Sequence, residues 1–447
     1  MCSAIPKHLH HVGGVPIVER VIRAGLAIEP RQLIAVVSPS LADLPTRLRM
    51  DGRFETTVQH IADGTAAAVQ CAMDVMAPCD WIVSLLGDSP LLTGDILQTL
   101  VDAAIGSTAK LAILTCRMPD GGPYGRIDRN ADGNIRRIVE LKNDDPELRA
   151  GPTEINSGIT VMNATWARDV LTRVKRNPET REFMLTDLVE MAAVEWEPAE
   201  PWPIISVEAG AEVALGVNDR RQQAEADAFV RAHVRERLLA DGVTIVGGET
   251  VFIDETVTIG VDTTVLPGCV ITGSTAIGIG CVIGPNAILH DVRVGEGVRV
   301  TNSTVSDSGL GDRSDVGPYA HIRNGSWIGP EVHIGTSSEI KNTSVGPGSK
   351  CGHFSYLGDA IIGERVNIGA GTITANYDGT RKHQTTIEND AFIGSDSVLV
   401  APLHIGPDAI TGAGSVVTRD VEGGTVVVGV PARPIRRAQP GQQSSPP

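Results

Sequence analysis

From Ile253 onward the chain places an aliphatic residue at every sixth position: Ile253, Ile259, Val265, Ile271, Ile277, Ile283 and Leu289. The spacing returns as Val316, Ile322, Ile328, Ile334 and Ile340, and again as Ile387, Ile393, Leu399 and Ile405, followed by Thr411 and Val417. Glycine commonly follows the aliphatic residue, as in Ile259-Gly260, Ile328-Gly329, Ile368-Gly369 and Ile393-Gly394. A six-residue period predicts a left-handed parallel β-helix, in which each hexad is one short strand and one turn. About three hexads close a triangular coil, and no coil buries its aliphatic residues without its neighbours. A sandwich of meandering strands would instead alternate, with unevenly spaced turns.

The preceding half follows a different rhythm. After a loop-like start over residues 1–15, the pattern predicts a helix over 16–28, a buried strand over 33–37, an extended segment at 57–59 and a helix over 65–76. A strand over 81–86, a helix over 93–105 and a strand over 110–114 follow. Alternation of this kind predicts an α/β domain, Rossmann-like, with a mainly parallel sheet. Ligands bind such sheets beyond the carboxyl ends of their strands. Residues 219–241, rich in Ala, Arg, Gln and Glu, predict one long helix, with Ala224, Ala228, Val230 and Val234 on a face able to meet a partner surface or remain solvated. Gly242 is its expected stop. The domain boundaries expected are therefore 1–218, a helical linker at 219–242, the β-helix at 243–436 and a disordered tail at 437–447.

Composition narrows the classes of function. The net charge of −16 argues against nucleic acid or an anionic membrane as main partner, so a phosphorylated ligand must meet local cations or a metal. Aromatic content of 3% suits a core of stacked aliphatics. The cysteines at 2, 71, 79, 116, 269, 281 and 351 form no CxxC pair or zinc-like spacing and read as thiols of a reducing compartment. Without a signal peptide or an apolar run near 18 residues, the chain reads as soluble and cytoplasmic.

Several clusters carry candidate chemistry. The loop Gln59-His60-Ile61-Ala62-Asp63-Gly64-Thr65 runs into a helix, whose N–H groups suit a nucleobase edge or an anion. Gly87-Asp88 follows a buried strand, where a carboxylate either holds Mg²⁺ beside a phosphate or caps the next helix. Residues 123–127, 138–142 and 154–159 are strand and turn segments whose spacing alone shows nothing. In the repeat half, His321-Ile322-Arg323, Glu339-Ile340-Lys341, Gly352-His353-Phe354-Ser355-Tyr356 and Ala375-Asn376-Tyr377 gather polar residues where the hexads are least regular, and a loop at 380–386 bears Lys382. A histidine in a turn is commonly structural; beside cations and an irregular loop, His353 is also placed to take a proton from an amine that attacks a thioester.

In this order these segments resemble the bacterial bifunctional family of N-acetylglucosamine-1-phosphate uridyltransferases / glucosamine-1-phosphate acetyltransferases, over nearly the whole chain. The resemblance implies acetylation of glucosamine-1-phosphate by acetyl-CoA, then uridylyl transfer from UTP to give UDP-N-acetylglucosamine and pyrophosphate for cell-envelope precursors. It implies that Lys7 meets the UTP phosphates, that Gln59, Gly64 and Thr65 bind uracil, with Gly87 beside them, and that Asp88 and Asn218 hold Mg²⁺. Gly125, Glu140 and Asn156 would line the amino-sugar pocket. In the second half it implies His353 as general base, Asn376 as donor to the thioester oxygen, and Arg323, Lys341, Tyr356, Asn367 and Lys382 as the glucosamine-1-phosphate site. Ala370, Ser395 and Ala413, with Asn376 and Tyr377, would line the acetyl-CoA groove of a homotrimer whose sites lie between neighbouring β-helices.

Two departures stand out. The family's first strand and its G-x-G-T-R loop precede the segment that begins at Met1, and without that strand its neighbours lose a hydrogen-bonding partner. Either the coding start lies farther upstream or the chain is a monofunctional acetyltransferase with an inactive first half. The family arginine before the final Val-Pro is Gly429 here, which leaves Arg419 or Arg433 to meet the CoA phosphates. A zinc-dependent hexapeptide enzyme is the alternative of another class, but His290, His321, His333, His353, His383 and His404 show no matching motif.

Overall fold

A computed structural model describes residues 1, 3–141, 152–178 and 180–438. Cys2, Lys142 and all but the first two residues of the expected tail lie outside the described residues. The chain divides into two compact units, residues 1–227 and 228–447.

In the first unit the expected helices form at Ile17–Ala27, Thr65–Met73 and Gly94–Ile105, and the expected strands at Ile34–Val37, Glu55–Val58, Trp81–Ser84 and Leu111–Met118. Thr93 caps the third helix by accepting from the Ile96 N–H. The opening residues contain a short hairpin, His11–Val12 against Val15–Pro16, which the sequence pattern does not show.

The sheet departs from the expected parallel arrangement. Ile34–Val37 and Glu55–Val58 pair in parallel as a separate two-stranded piece. The main sheet is mixed: Ile204–Ala209 lies parallel to Leu111–Met118, whose other neighbour, the long strand Thr153–Asn163, runs antiparallel. Strand–helix alternation stops after Met118, and a hairpin of Arg126–Arg129 with Ile135–Val139 lets the chain turn straight back. The far edge of Thr153–Asn163 is shared: Trp81–Ser84 pairs with its last four residues and Arg126 with Ile155. Among the described strands, Ile34–Val37 pairs only with Glu55–Val58 and Trp81–Ser84 only with Thr153–Asn163. Helix Ile17–Ala27 spans both pieces: Val18 and Ile22 pack with Val37, Leu41 and Phe54, while Ala24 packs with Leu97, Leu100 and Ala112.

The helix Arg220–Ala240 forms as expected, with Asp219 accepting from the N–H groups of Arg221 and Gln222. Its buried row is Ala226, Val230, Val234 and Leu238; Ala224 and Ala228 face solvent, so the expected apolar face is rotated at its N-terminal end. Gly242 follows at φ +86°, the left-handed stop that glycine supplies.

In the second unit, two continuous ladders of 12 and 17 strands, parallel except for the last pairing of the shorter one, wrap into the stacked coils of a β-helix. Every hexad aliphatic named above is buried. Partners along the stack show this directly: Ile322 sits over Val305 and under Ile340, which sits under Leu357. The turn glycines allow close stacking, since a Cβ on Gly394 would stand 2.7 Å from the Ala413 nitrogen of the next coil. Successive coils hold 16–18 residues, but 25 residues separate Ile373 from its partner Val398, and this longer coil carries the loop with Lys382. The stack ends in an antiparallel hairpin, Thr425–Gly429 with Ala432–Arg437. Its last strand includes Arg436 and Arg437, so an ordered strand occupies the point where the tail was expected to begin.

Candidate active sites

In the first unit, the loop at 59–65 is fixed at both ends. The Gln59 N–H donates to the Val37 carbonyl at 2.9 Å, and its side-chain amide donates to the Gly64 carbonyl at 3.3 Å. Gly64 stands at φ +104°, beside the backbone of Phe183. The Thr65 hydroxyl accepts from the Leu185 N–H at 3.0 Å, and the Phe183 carbonyl accepts from Ala66. Gln59, Gly64 and Thr65 therefore form one framed loop, anchored on residues 183–185, which the sequence pattern does not connect to it.

Gly125, Glu140 and Asn156 converge. The Asn156 N–H donates to the Gly125 carbonyl at 2.9 Å, and both Glu140 carboxylate oxygens lie 3.6 Å from where a Gly125 Cβ would be. Asn156 lies where Thr153–Asn163 passes between its two partners on the far edge, and Gly158, at φ +81°, lets Leu86 pack against the bend. That contact packs Leu86, which precedes Gly87-Asp88, onto the strand two residues beyond Asn156. Thr186 donates its hydroxyl to Glu140 at 3.2 Å, and burial, with Glu190 and Glu140 nearby, raises the Asp187 carboxyl above its ordinary range. Neither Thr186 nor Asp187 carries a sequence signal that links it to this pocket.

Asp88 and Asn218 also meet, and they meet on Lys7. The Lys7 ammonium donates to Asp88 Oδ2 at 2.7 Å and to Asn218 Oδ1 at 2.9 Å. The Val217 N–H donates to the Asp88 carbonyl at 2.9 Å, which ties the two oxygen donors together. Two hard oxygens turned onto one cation are a donor set that a hard divalent ion could also use; in the structure they hold the ammonium. Next to it, burial and the Lys7 charge lower His8, whose ring lies 3.4 Å from the position of a Gly87 Cβ.

In the second unit, strands His321–Arg323, Glu339–Lys341 and Tyr356–Gly358 stack in register, so Arg323, Lys341 and Gly358 form one outward row. Gly358 leaves a space that the Tyr356 hydroxyl and the Asn376 amide fill. Arg323 pairs with Glu339. Lys341 meets Lys382, which the long coil folds back; Tyr377 bridges Lys382, and the His383 N–H donates to the Asn376 carbonyl at 2.7 Å. The adjacent Lys382 pushes the Lys341 ammonium below the ordinary lysine range, aided by burial, while Lys382 itself is held up. Asp359 lies among them: it accepts from Asn342 at 2.6 Å and from Asn376 at 2.5 Å. Sequence reasoning missed Asp359, which had no motif of its own.

His353 is exposed at the corner between two strands, and the Ser338 hydroxyl fixes its carbonyl at 3.0 Å. The same corner carries Ala370, Ser395 and Ala413 in successive coils: Gly371 donates to the Phe354 carbonyl, Asp396 to that of Ala370 and Gly414 to that of Ser395, all at 2.7–2.8 Å. Small residues thus line one edge running away from His353. Asn367 lies on another face, stacked between Lys350 and Phe392, and is not brought into the Arg323–Lys341–Lys382 cluster. Gly429 ends its strand at φ +99°, while Arg419 and Arg433 line one cavity of about 620 Å³ with Arg436 and Arg437. Elsewhere, His290, His333, His383 and His404 each pair with a single carboxylate.

Two domain families match: the MobA-like NTP transferase domain over residues 1–144, and the bacterial transferase hexapeptide (six repeats) over 384–419. The bifunctional protein GlmU of Corynebacterium efficiens is 38% identical over 436 residues, 96% of this chain and 88% of that protein. Those of Carboxydothermus hydrogenoformans and Burkholderia multivorans are 39% and 38% identical, covering 94% and 96% of this chain and 93% of each relative. The chain belongs to the bifunctional GlmU family. It is a transferase of two activities, an acetyltransferase and a uridyltransferase, and the family's order of a nucleotidyltransferase unit before a hexapeptide unit is the order of the two units described above. Among the described residues, no helix is long and apolar enough to cross a membrane.

Proposed function

We propose that the second unit transfers the acetyl group of acetyl-CoA to the amine of glucosamine-1-phosphate. The meeting of Lys341 and Lys382 beside Arg323 carries this reading, because three cations at one point suit a phosphate monoester. His353 takes a proton from the amine as its nitrogen attacks the thioester carbonyl; the amide C–N bond forms, the C–S bond breaks, and the CoA thiolate leaves and is protonated. One N–H of Asn376 is committed to Asp359, and the other, which makes only a long 3.5 Å hydrogen bond to the Tyr356 hydroxyl, turns from it to the thioester oxygen. Tyr356 and Tyr377 border the acceptor. The pantetheine arm lies along Ala370, Ser395 and Ala413, and Arg419 or Arg433 meets the CoA phosphates in place of the residue at Gly429. Asn367, on its separate face, serves the acceptor held by a neighbouring copy in a homotrimer.

In the first unit the sugar phosphate displaces pyrophosphate from the α-phosphorus of UTP. The Gln59–Thr65 loop holds the uracil edge, and Gly125, Glu140 and Asn156 hold the N-acetylated sugar. Asp88 and Asn218 would hold Mg²⁺, which when bound would supply charge neutralisation on the phosphates. Lys7 stabilises the triphosphate, so catalysis here is positioning and electrostatics, without a protein nucleophile. A cytoplasmic setting fits thiols that are all free among the described residues, of which Cys116 is pushed up to about 11 by burial.

Thiol release from acetyl-CoA with glucosamine-1-phosphate tests the acetyl step. His353→Ala should lose roughly 10²–10⁴-fold in rate, with pyrophosphate release from UTP and N-acetylglucosamine-1-phosphate unchanged. Equal thiol-release rates in the two proteins would remove His353 as base.

A further inference from the structure

The position of Lys7 bears on both roles assigned around it. Its ammonium occupies the two oxygens, Asp88 Oδ2 and Asn218 Oδ1, that are read above as metal ligands, at 2.7 and 2.9 Å. The pair is partly shielded, with side-chain exposures of 27% for Lys7 and 23% for Asp88. A divalent cation bound at about 2.1 Å from the same oxygens would stand against the ammonium, and two cations at that separation repel strongly in a partly shielded site. A divalent ion on these same oxygens would drive the ammonium out of its present contact. Its backbone lies in a short turn, Lys7–Leu9, and its four-carbon stem has the rotatable bonds that such a change of partner needs.

We propose that Lys7 is an exchangeable counter-cation: it neutralises Asp88 and Asn218 until a divalent cation takes those oxygens, and is thereby released to the phosphates of the nucleotide. This rests on the reading of Asp88 and Asn218 as a metal site. The exchange keeps a carboxylate from standing uncompensated in the empty pocket. It also makes the lysine available to phosphate only when the metal has arrived, so metal and triphosphate favour each other's binding through one side chain.

The test is Mn²⁺ binding to the full chain without nucleotide, followed by electron paramagnetic resonance of the free ion. Lys7→Met should bind Mn²⁺ about ten-fold tighter than the wild type, since the competing charge is gone, and Asp88→Asn should lose the site. Lys7→Gln serves as a second variant, and far-UV circular dichroism establishes that each protein is folded. Loss of binding in Asp88→Asn with equal affinity in the wild type and both Lys7 variants would overturn the exchange while leaving the metal site standing. Binding that does not respond to Asp88→Asn would overturn the metal site and the exchange with it.

Discussion

The Asn376 amide donates to the Asp359 carboxylate at 2.5 Å, from the long coil to the one beneath it. The other Asp359 oxygen accepts from Asn342, and its backbone N–H donates to the Lys341 carbonyl at 3.0 Å. One carboxylate thus fixes the Asn376 amide, proposed above to reach the thioester oxygen, and sits beside the paired lysines. Asp359→Ala should lower kcat/KM for acetyl transfer by roughly 10–100-fold, as misplacement of catalytic groups does, with the KM for glucosamine-1-phosphate raised and uridylyl transfer intact. Thiol-release kinetics decide it, and a change under about two-fold would show the carboxylate to be incidental.

Acetyl transfer should weaken at alkaline pH earlier than an ordinary lysine site would. Lys382 lies against Lys341 and pushes it down, so Lys341 sheds its proton, and with it one charge of the proposed phosphate site, below the usual lysine value of about 10.4. Because kcat/KM reports the free enzyme, its alkaline limb should fall early. Lys382→Met should lower kcat/KM near pH 7 but move that limb upward, because Lys341 then has no cation beside it. A limb that stays in place would mean that the two lysines titrate independently.

A methyl group at position 64 has nowhere to go. With φ at +104° it would stand 2.5 Å from the Phe183 carbonyl oxygen and 2.8 Å from its nitrogen. Gly64→Ala should cost about 1–3 kcal/mol of strain, displacing the loop from residues 183–185. Pyrophosphate release should show a raised KM for UTP, and thiol release should be unaffected.

Ile322 is wholly buried between Val305 and Ile340, directly inside Arg323. Ile322→Ala should destabilise the second unit by about 2–5 kcal/mol. Because each coil contacts only its neighbours, the loss should appear in the unfolding transition of that unit and leave the other in place. Calorimetry that shows the first unit's transition shifted instead would contradict the division.

The repeat half was legible because its core needs one aliphatic per hexad, and a slip of one residue would expose it; each hexad position from Ile253 to Val417 is accordingly buried. The convergence of Gly125, Glu140 and Asn156 was legible only through resemblance, since it depends on a hairpin and a returning strand whose pairing leaves no local pattern. The segment 154–159 read as strand and turn, but the antiparallel direction of Thr153–Asn163 did not show, because alternating strands and helices earlier in the chain suggested a mainly parallel sheet. Asp359 was illegible because its meaning comes from a loop that folds back on it. In the long helix, alanines mark more than one face, so Ala224 and Ala228 were drawn to the wrong one, while the valines were not.

The coils of the second unit also act as a ruler. Pulled from its C-terminal end, a stack held only coil to coil would give way in increments, each freeing 16–18 residues, or about 6 nm of chain at 3.3–3.6 Å per residue. The increment that spans Ile373 to Val398 frees 25 residues, about 8–9 nm. In a force–extension trace the coil that carries Lys382 would therefore announce itself as a long step in an otherwise even staircase.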